Sequence, residues 1–92
     1  MPKLLIIRSY VFLIYSADIT ENRNHIHVES RKGRRRVSAK YWLEPNIELV
    51  DSGNFSKAEL KRIEKLIKDN YVLLVNQVEK FKKGLKVKTI KL

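Results

Sequence analysis

The chain has 92 residues, no cysteine and a formal net charge of +10 at pH 7, which allows one domain with a single core and excludes disulfide bonds and Cys-ligated metal sites. The excess of positive charge favours nucleic acid, an acidic protein or an anionic membrane surface as a partner. No apolar run approaches the roughly 20 residues that span a bilayer, and the apolar start is too short for a signal-peptide core, so we expect a cytoplasmic protein that does not enter a membrane.

The first predicted elements are two apolar strands, at residues 4–7 and 10–15. Both segments are rich in branched and aromatic residues, which favour strands, and the polar pair Arg8-Ser9 separates them. Because both faces of the pair are apolar, these strands should lie in the centre of a sheet or have their second face covered by another chain. The polar residues 17–24 that follow predict a loop.

A basic hairpin is predicted next, because residues 25–29 and 35–43 alternate between polar and apolar. With a two-residue turn at Lys32-Gly33, Val28 would lie opposite Val37, and Ile26 opposite Ala39, on a buried face. A shift of one residue would bring these apolar side chains into water, so burial favours this register. The other face is expected to be exposed, and it would carry His25, His27, Arg36, Lys40 and Trp42.

One long helix is predicted over residues 57–83, after a short strand at residues 47–50. Ser56 and Glu59 are spaced as a capping box, and Gly84 is a typical helix stop. The expected fold is α+β, with a small antiparallel sheet of about four to five strands followed by one long C-terminal α-helix. Residues 1–84 would form a single domain. Residues 85–92 would form a basic tail, for which an edge strand, exchange between the protomers of a homo-oligomer and disorder all stay open.

The two histidines of the hairpin suggest metal-independent RNA cleavage as one hypothesis. Histidine titrates near neutral pH, so one imidazole could take the 2′-hydroxyl proton and the other could protonate the leaving oxygen. His25 and His27 would point to the same side of one strand, and Asp18 could orient one of the rings. We therefore predict His25, His27 and Asp18 as catalytic residues, with no metal and no cofactor. Polar surface residues or a partner contact would explain the same histidines, and a zinc site would need Asp18 as a third ligand.

Basic residues surround the predicted turn, where five of the six residues from Arg31 to Arg36 are Arg or Lys. Such runs beside aromatic residues favour contact with phosphates, and Trp42 could stack an unpaired base. The expected nucleic-acid- or anion-binding residues are Arg31, Lys32, Arg34, Arg35, Arg36, Lys40 and Trp42. A solvated turn, or contact with an acidic partner protein, would explain the same run.

Several motifs in this order resemble one family of short bacterial proteins. They are Met1-Pro2, Ser16-Ala17-Asp18, the strand from His25 to Val28, Tyr41-Trp42-Leu43, and Phe55-Ser56. From Met1 to about Lys83 the chain resembles the domain-of-unknown-function family DUF4160, although Gln77 stands where the helix of that family usually carries Trp. The resemblance implies a component of a toxin–antitoxin pair whose partner is a cognate small antitoxin-like protein.

Three functions follow as expectations. The first is a toxin that acts on RNA or translation through the basic His-x-His hairpin, either as a ribonuclease or as a blocker. The second is a non-enzymatic module that binds nucleic acid or a partner protein through the same hairpin. The third is the antitoxin half of the pair, which would bury the apolar outer faces of Leu5, Ile7, Phe12 or Ile14 against a toxin.

Overall fold

The computed structural model describes residues 3–15, 23–32 and 35–92, and for Arg31, Lys32 and Arg35 it describes the backbone alone. This part of the chain forms six strands and two helices. In chain order they are β1 (Lys3–Ile7), β2 (Tyr10–Leu13), β3 (His25–Lys32), β4 (Arg35–Trp42), β5 (Glu48–Asp51), α1 (Lys57–Asp69), α2 (Tyr71–Lys82) and β6 (Ile90–Lys91).

The strands form one mixed sheet in the order β5-β4-β3-β2-β1-β6. Neighbouring strands are antiparallel except for β6, which runs parallel to β1 and pairs Ile90 with Leu5. The prediction of an antiparallel sheet of four to five strands was therefore wrong. The sequence signal was weak here because β6 has only two residues, and its pairing depends on contacts with β1, including the hydrogen bond from Leu92 N–H to the Ile6 carbonyl (2.9 Å).

The prediction of one long helix was also wrong, because α1 ends at Asp69 and α2 begins at Tyr71. Asn70 has φ −120° and ψ 25°, and both its backbone N–H and its side-chain amide donate to the Leu66 carbonyl. An unbroken helix over 57–83 would run about 40 Å, which exceeds the longest dimension of the molecule, 34 Å. The break instead lets α2 pack against the sheet, with Leu74 and Val78 fully buried. Neither helix in the described ranges is long and apolar enough to cross a membrane.

The predicted ends of this helical region are confirmed. The Ser56 hydroxyl accepts a hydrogen bond from the Glu59 N–H (3.2 Å), and the Glu59 carboxylate accepts one from the Ser56 N–H (3.3 Å), which completes the capping box. At the other end Gly84 has φ 75°, and its N–H donates to the Phe81 carbonyl while that of Leu85 donates to the Lys80 carbonyl. These two bonds form a Schellman motif, which needs a left-handed residue at Gly84.

The core lies between the helices and one face of the sheet. Strand residues such as Val28 and Tyr41 meet helix residues such as Ile63 there, and all three are fully buried. The same core takes up the four residues that were expected to offer outward apolar faces to a toxin: Leu5, Ile7, Phe12 and Ile14. That expectation was wrong, because the helices cover these side chains within the chain itself.

The β3–β4 ladder keeps the predicted faces but has a different register. Val28 lies opposite Ala39 instead of Val37, and Lys32, which was predicted in the turn, pairs with Arg35. The predicted register was therefore wrong by two residues. A shift of two leaves every side chain on its original face, so burial could not distinguish the two registers.

Candidate nucleic-acid interface

The alternation along β3 and β4 divides their side chains between two faces. Ile26, Val28, Ala39 and Tyr41 belong to the core beneath the helices. The alternate residues lie on the other side, which we call the histidine face. Its cross-strand pairs are His25 with Trp42, His27 with Lys40, Glu29 with Ser38, and Arg31 with Arg36.

Four rings form a continuous row across one end of the histidine face. Tyr15 contacts His27 with ring centroids 4.5 Å apart, His27 contacts His25 at 5.4 Å, and His25 contacts Trp42 at 5.5 Å. The interplanar angles of 72°, 79° and 84° are edge-to-face arrangements, which aromatic pairs prefer to direct face-to-face stacking. The row joins β3, β4 and the residues just after β2.

Two cations lie over the end of this row. The Arg23 guanidinium carbon is 4.4 Å from the centre of the Trp42 ring, and Lys40 Nζ is 5.0 Å from it. Arg23 Nε donates to the Glu44 carbonyl (2.9 Å), and its guanidinium forms an ion pair with Glu48 at 3.8 Å. Because an exposed cation–π contact is worth only about 0.5–1 kcal/mol, a nucleic-acid base could replace a cation above the ring at modest cost.

The two histidines differ in accessibility. The expectation that His25 lies exposed was wrong, because its side chain is 0% exposed. Its ring packs between His27 and Trp42, and its Nδ1 lies 3.4 Å from the Arg23 carbonyl oxygen. His27 is half-buried and lines a pocket of about 280 Å³ with Ser38, Lys40 and Asp51 among its walls. Of the two, His27 is therefore the one that a substrate could reach.

A polar cluster around the buried residue Asn24 supports this end of the face from behind. Asn24 is 4% exposed, and its side-chain amide donates to Glu44 (3.1 Å) and to Glu79 (2.8 Å). Its side-chain oxygen accepts a hydrogen bond from Lys82 Nζ (2.7 Å). Asn24 thus joins the start of β3 to α2, immediately beside Arg23 and His25. Tyr15, Arg23 and Asn24 were not predicted as site residues. Tyr15 ends an apolar segment, and polar residues before a strand have no periodicity that marks them as part of a site.

The basic hairpin continues the histidine face away from the rings. Arg31 lies opposite Arg36, and Lys32 lies opposite Arg35, in two successive pairs of the ladder. Because neighbouring pairs of a ladder alternate between the two faces of the sheet, the Arg31–Arg36 positions belong to the histidine face and the Lys32–Arg35 positions to the opposite face. Glu29, two residues before Arg31, accepts a hydrogen bond from Tyr15 Oη (3.2 Å).

Some predicted site residues are only partly described. Arg36 is exposed, and Lys40 and Trp42 are half-buried, all on the histidine face. Arg31, Lys32 and Arg35 are placed by their backbone in the ladder. Asp18 and Arg34 lie outside the described residues. Within the described ranges, no three His, Asp or Glu side chains are grouped as metal ligands.

The ionisation of one core residue next to this region is strongly perturbed. Burial, together with the negative charge of Glu64, raises the pKa of Tyr41 from its ordinary value of 10.0 to about 12. The Tyr41 hydroxyl lies 3.5 Å from the Leu60 carbonyl oxygen. Tyr41 is therefore a neutral core residue and not an acid of the candidate site.

Comparison with known proteins identifies the family. The sequence model of the domain of unknown function DUF4160 matches residues 9–79, which include the histidine strand, the basic hairpin and α1. No curated protein and no solved structure matches the chain. The match covers most of the chain, which therefore belongs to the DUF4160 family.

Proposed function

We propose that this protein binds single-stranded RNA along its histidine face and basic hairpin. The observation that carries the proposal is the register of the β3–β4 ladder, which puts the basic positions Arg31, Arg36 and Lys40 on the same face as His27 and Trp42. The phosphates of an RNA strand would neutralise the positive charge at these positions, and the strand would release counterions as it bound.

The row of four rings favours single-stranded over double-stranded RNA. Single strands are bound by positively charged grooves with aromatic side chains, on which unpaired bases stack. Trp42 and Tyr15 lie half-buried at the two ends of the row, and Arg23 and Lys40 flank Trp42. A strand that follows the face would contact cations at Arg36 and rings at Trp42.

Affinity measurements on matched variants test this proposal. Fluorescence anisotropy with a short single-stranded RNA should show that Arg36→Gln with Lys40→Gln weakens binding about tenfold or more. A control pair, Lys61→Gln with Lys68→Gln, removes the same charge from exposed positions on α1, behind the sheet. If both pairs weaken binding equally, net charge alone accounts for the affinity and the proposed interface is wrong.

The RNA contact would make this protein the growth-inhibiting half of a toxin–antitoxin pair, as the family resemblance implies. The third expectation, an antitoxin, has less support, because the apolar residues that would have met a toxin are part of the chain's own core. Expression without its genomic neighbour should arrest growth, and co-expression of the neighbour should restore it. Harmless expression of folded protein would contradict the toxin assignment.

A second candidate, metal-independent RNA cleavage, is favoured by the pocket that His27 and Lys40 share. Neutral His27 would take the proton of the 2′-hydroxyl, and the 2′-oxygen would bond to phosphorus. The bond from phosphorus to the 5′-oxygen would break, and the Lys40 ammonium would protonate that oxygen. The products would be a 2′,3′-cyclic phosphate and a 5′-hydroxyl end. Cleavage that is lost in His27→Gln, with RNA affinity retained, would establish this chemistry; cleavage that persists would rule it out.

A further inference from the structure

A second basic pocket lies on the opposite side of the sheet, between the β1–β2 turn and α1. It has a volume of about 320 Å³, and its lining residues are Ile7, Arg8, Tyr10, Arg62, Lys65, Leu66 and Asp69. Tyr10 and Ile7 belong to the core under the helices, so this pocket is separate from the histidine face.

The charges around the pocket favour a dianion. Arg8, Arg62 and Lys65 contribute three positive charges, and Asp69 contributes one negative charge, so the lining has a net charge of two. Asp69 is within 3.8 Å of Lys65, in an exposed ion pair that contributes little to stability. A phosphomonoester carries a charge of about −1.5 to −2 at pH 7, which matches this net charge, whereas a phosphodiester carries only one.

The other walls favour an organic group attached to that phosphate. Ile7, Leu66 and the Tyr10 ring are apolar surfaces next to the cations. Binding pockets for small organic ligands typically begin at about 300 Å³ and combine apolar walls with a few polar groups. The volume and the mixed lining suit a nucleotide better than inorganic phosphate.

The backbone presents Arg8 to this pocket in an unusual conformation. Arg8 has φ 54°, and it is the only residue other than glycine with a positive φ in the described part of the chain. A left-handed backbone is unfavourable for a residue with a side chain. The β1–β2 turn thus contributes one cation to the pocket lining, and α1 contributes the other two.

We propose that this pocket binds the phosphomonoester end of a nucleotide, with the phosphate among Arg8, Arg62 and Lys65 and the nucleoside against Tyr10 and Leu66. Two kinds of ligand carry such a phosphomonoester on a nucleoside: a free mononucleotide and the 5′-phosphorylated end of an RNA strand. The pocket takes either through the same contacts. The proposal does not depend on RNA binding at the histidine face.

NMR titration with adenosine 5′-monophosphate tests the site itself. The amides of residues 7–10 and 62–69 should shift on titration, and adenosine, which has no phosphate, should leave them unchanged. Arg62→Gln with Lys65→Gln should weaken the binding about tenfold or more, whereas Lys61→Gln with Lys68→Gln should leave it unaltered. Absence of these shifts, or equal weakening by both pairs, would overturn the proposal.

Two RNA oligonucleotides of one sequence, with a 5′-phosphate or a 5′-hydroxyl, distinguish the sources. Tighter binding of the phosphorylated strand, lost in Arg62→Gln with Lys65→Gln, would identify the RNA end as the ligand. Binding of the mononucleotide without such a preference would identify the free nucleotide. RNA binding at the histidine face is tested separately with Trp42→Leu. This variant should bind both oligonucleotides more weakly, to the same extent, and should bind the mononucleotide as the wild type does.

Discussion

His25 lies directly opposite Trp42 in the β3–β4 ladder, with ring centroids 5.5 Å apart and ring planes at 84°. His25 is completely buried, whereas Trp42 is half-buried beside Arg23 and Lys40. One member of the pair therefore supports the face, and the other is available to a ligand. This division separates the two histidines of the His-x-His strand into a packing residue and an accessible one.

Substitution of the two histidines should separate their roles. His25→Ala should lower the free energy of unfolding by about 2 kcal/mol or more, because it leaves a cavity between the His27 and Trp42 rings. His27→Ala should lower the free energy of unfolding by a smaller amount, since the His27 side chain is only half-buried. Urea unfolding of both variants measures the difference. A larger loss in His27→Ala would contradict the assignment of His25 as the packing residue.

Gly53 is predicted to be irreplaceable by alanine. Its φ is 56°, and a Cβ atom there would lie 1.8 Å from the Ser38 carbonyl oxygen. Gly53→Ala should therefore cost about 2 kcal/mol or more, from the left-handed backbone and the collision with β4. Gly84→Ala is the matched control, because Gly84 has φ 75° but no atom within 4 Å of its Cβ position. Equal destabilisation in thermal unfolding would show that the contact with Ser38 contributes nothing.

The raised pKa of Tyr41 predicts a loss of stability in alkaline solution. The unfolded chain releases this proton near pH 10, whereas the folded protein holds it to about pH 12. The stability that the folded protein gains from this raised pKa is thus fully present below pH 10 and is lost as the pH rises to 12. The loss in the free energy of unfolding is at most about 3 kcal/mol. Tyr41→Phe should remove this component of the pH dependence, and Tyr15→Phe should retain it. Identical alkaline profiles for wild type and Tyr41→Phe would disprove the effect.

Gln77 should hold the C-terminal segment on the sheet. Its buried side-chain amide donates to the Leu4 carbonyl (3.0 Å) and to the Lys88 carbonyl (2.8 Å), and so bridges β1 and the residues before β6. Gln77→Leu should speed trypsin cleavage after Lys86 and Lys88, because the released segment becomes accessible. Asn76→Leu, at an exposed position on α2, is the control. Unchanged cleavage in Gln77→Leu would mean that other contacts retain the segment.

The sequence predicted features that depend on local pattern. Alternation along β3 and β4 predicted which residues face the core, and the spacing of Ser56 and Glu59 predicted where α1 begins. The register could not be predicted, because shifts of two residues preserve the faces. The apolar stripe of the helical region is interrupted at Asn70, but one polar residue does not by itself predict a helix end. The break there and the pairing of β6 depend on how α2 fits the sheet.

The candidate site was predictable only in part for the same reason. The alternation placed His25, His27, Lys40 and Trp42 on one face, as the ladder has them. It gave no measure of how deeply each would be buried, since burial of His25 depends on Trp42 and on residues before the strand. Arg23 and Asn24 act through partners that are distant in sequence, such as Glu79.

The salt dependence of RNA binding tests the central claim most directly. Each phosphate contact made by a cation adds about 0.7 to the slope of log K against log salt for a single strand. The double variant Arg31→Gln with Arg36→Gln should bind RNA more weakly, and its slope should be smaller by about 1.4, the value for two phosphate contacts. An unchanged slope, or wild-type affinity that does not depend on salt, would contradict an RNA interface on this hairpin.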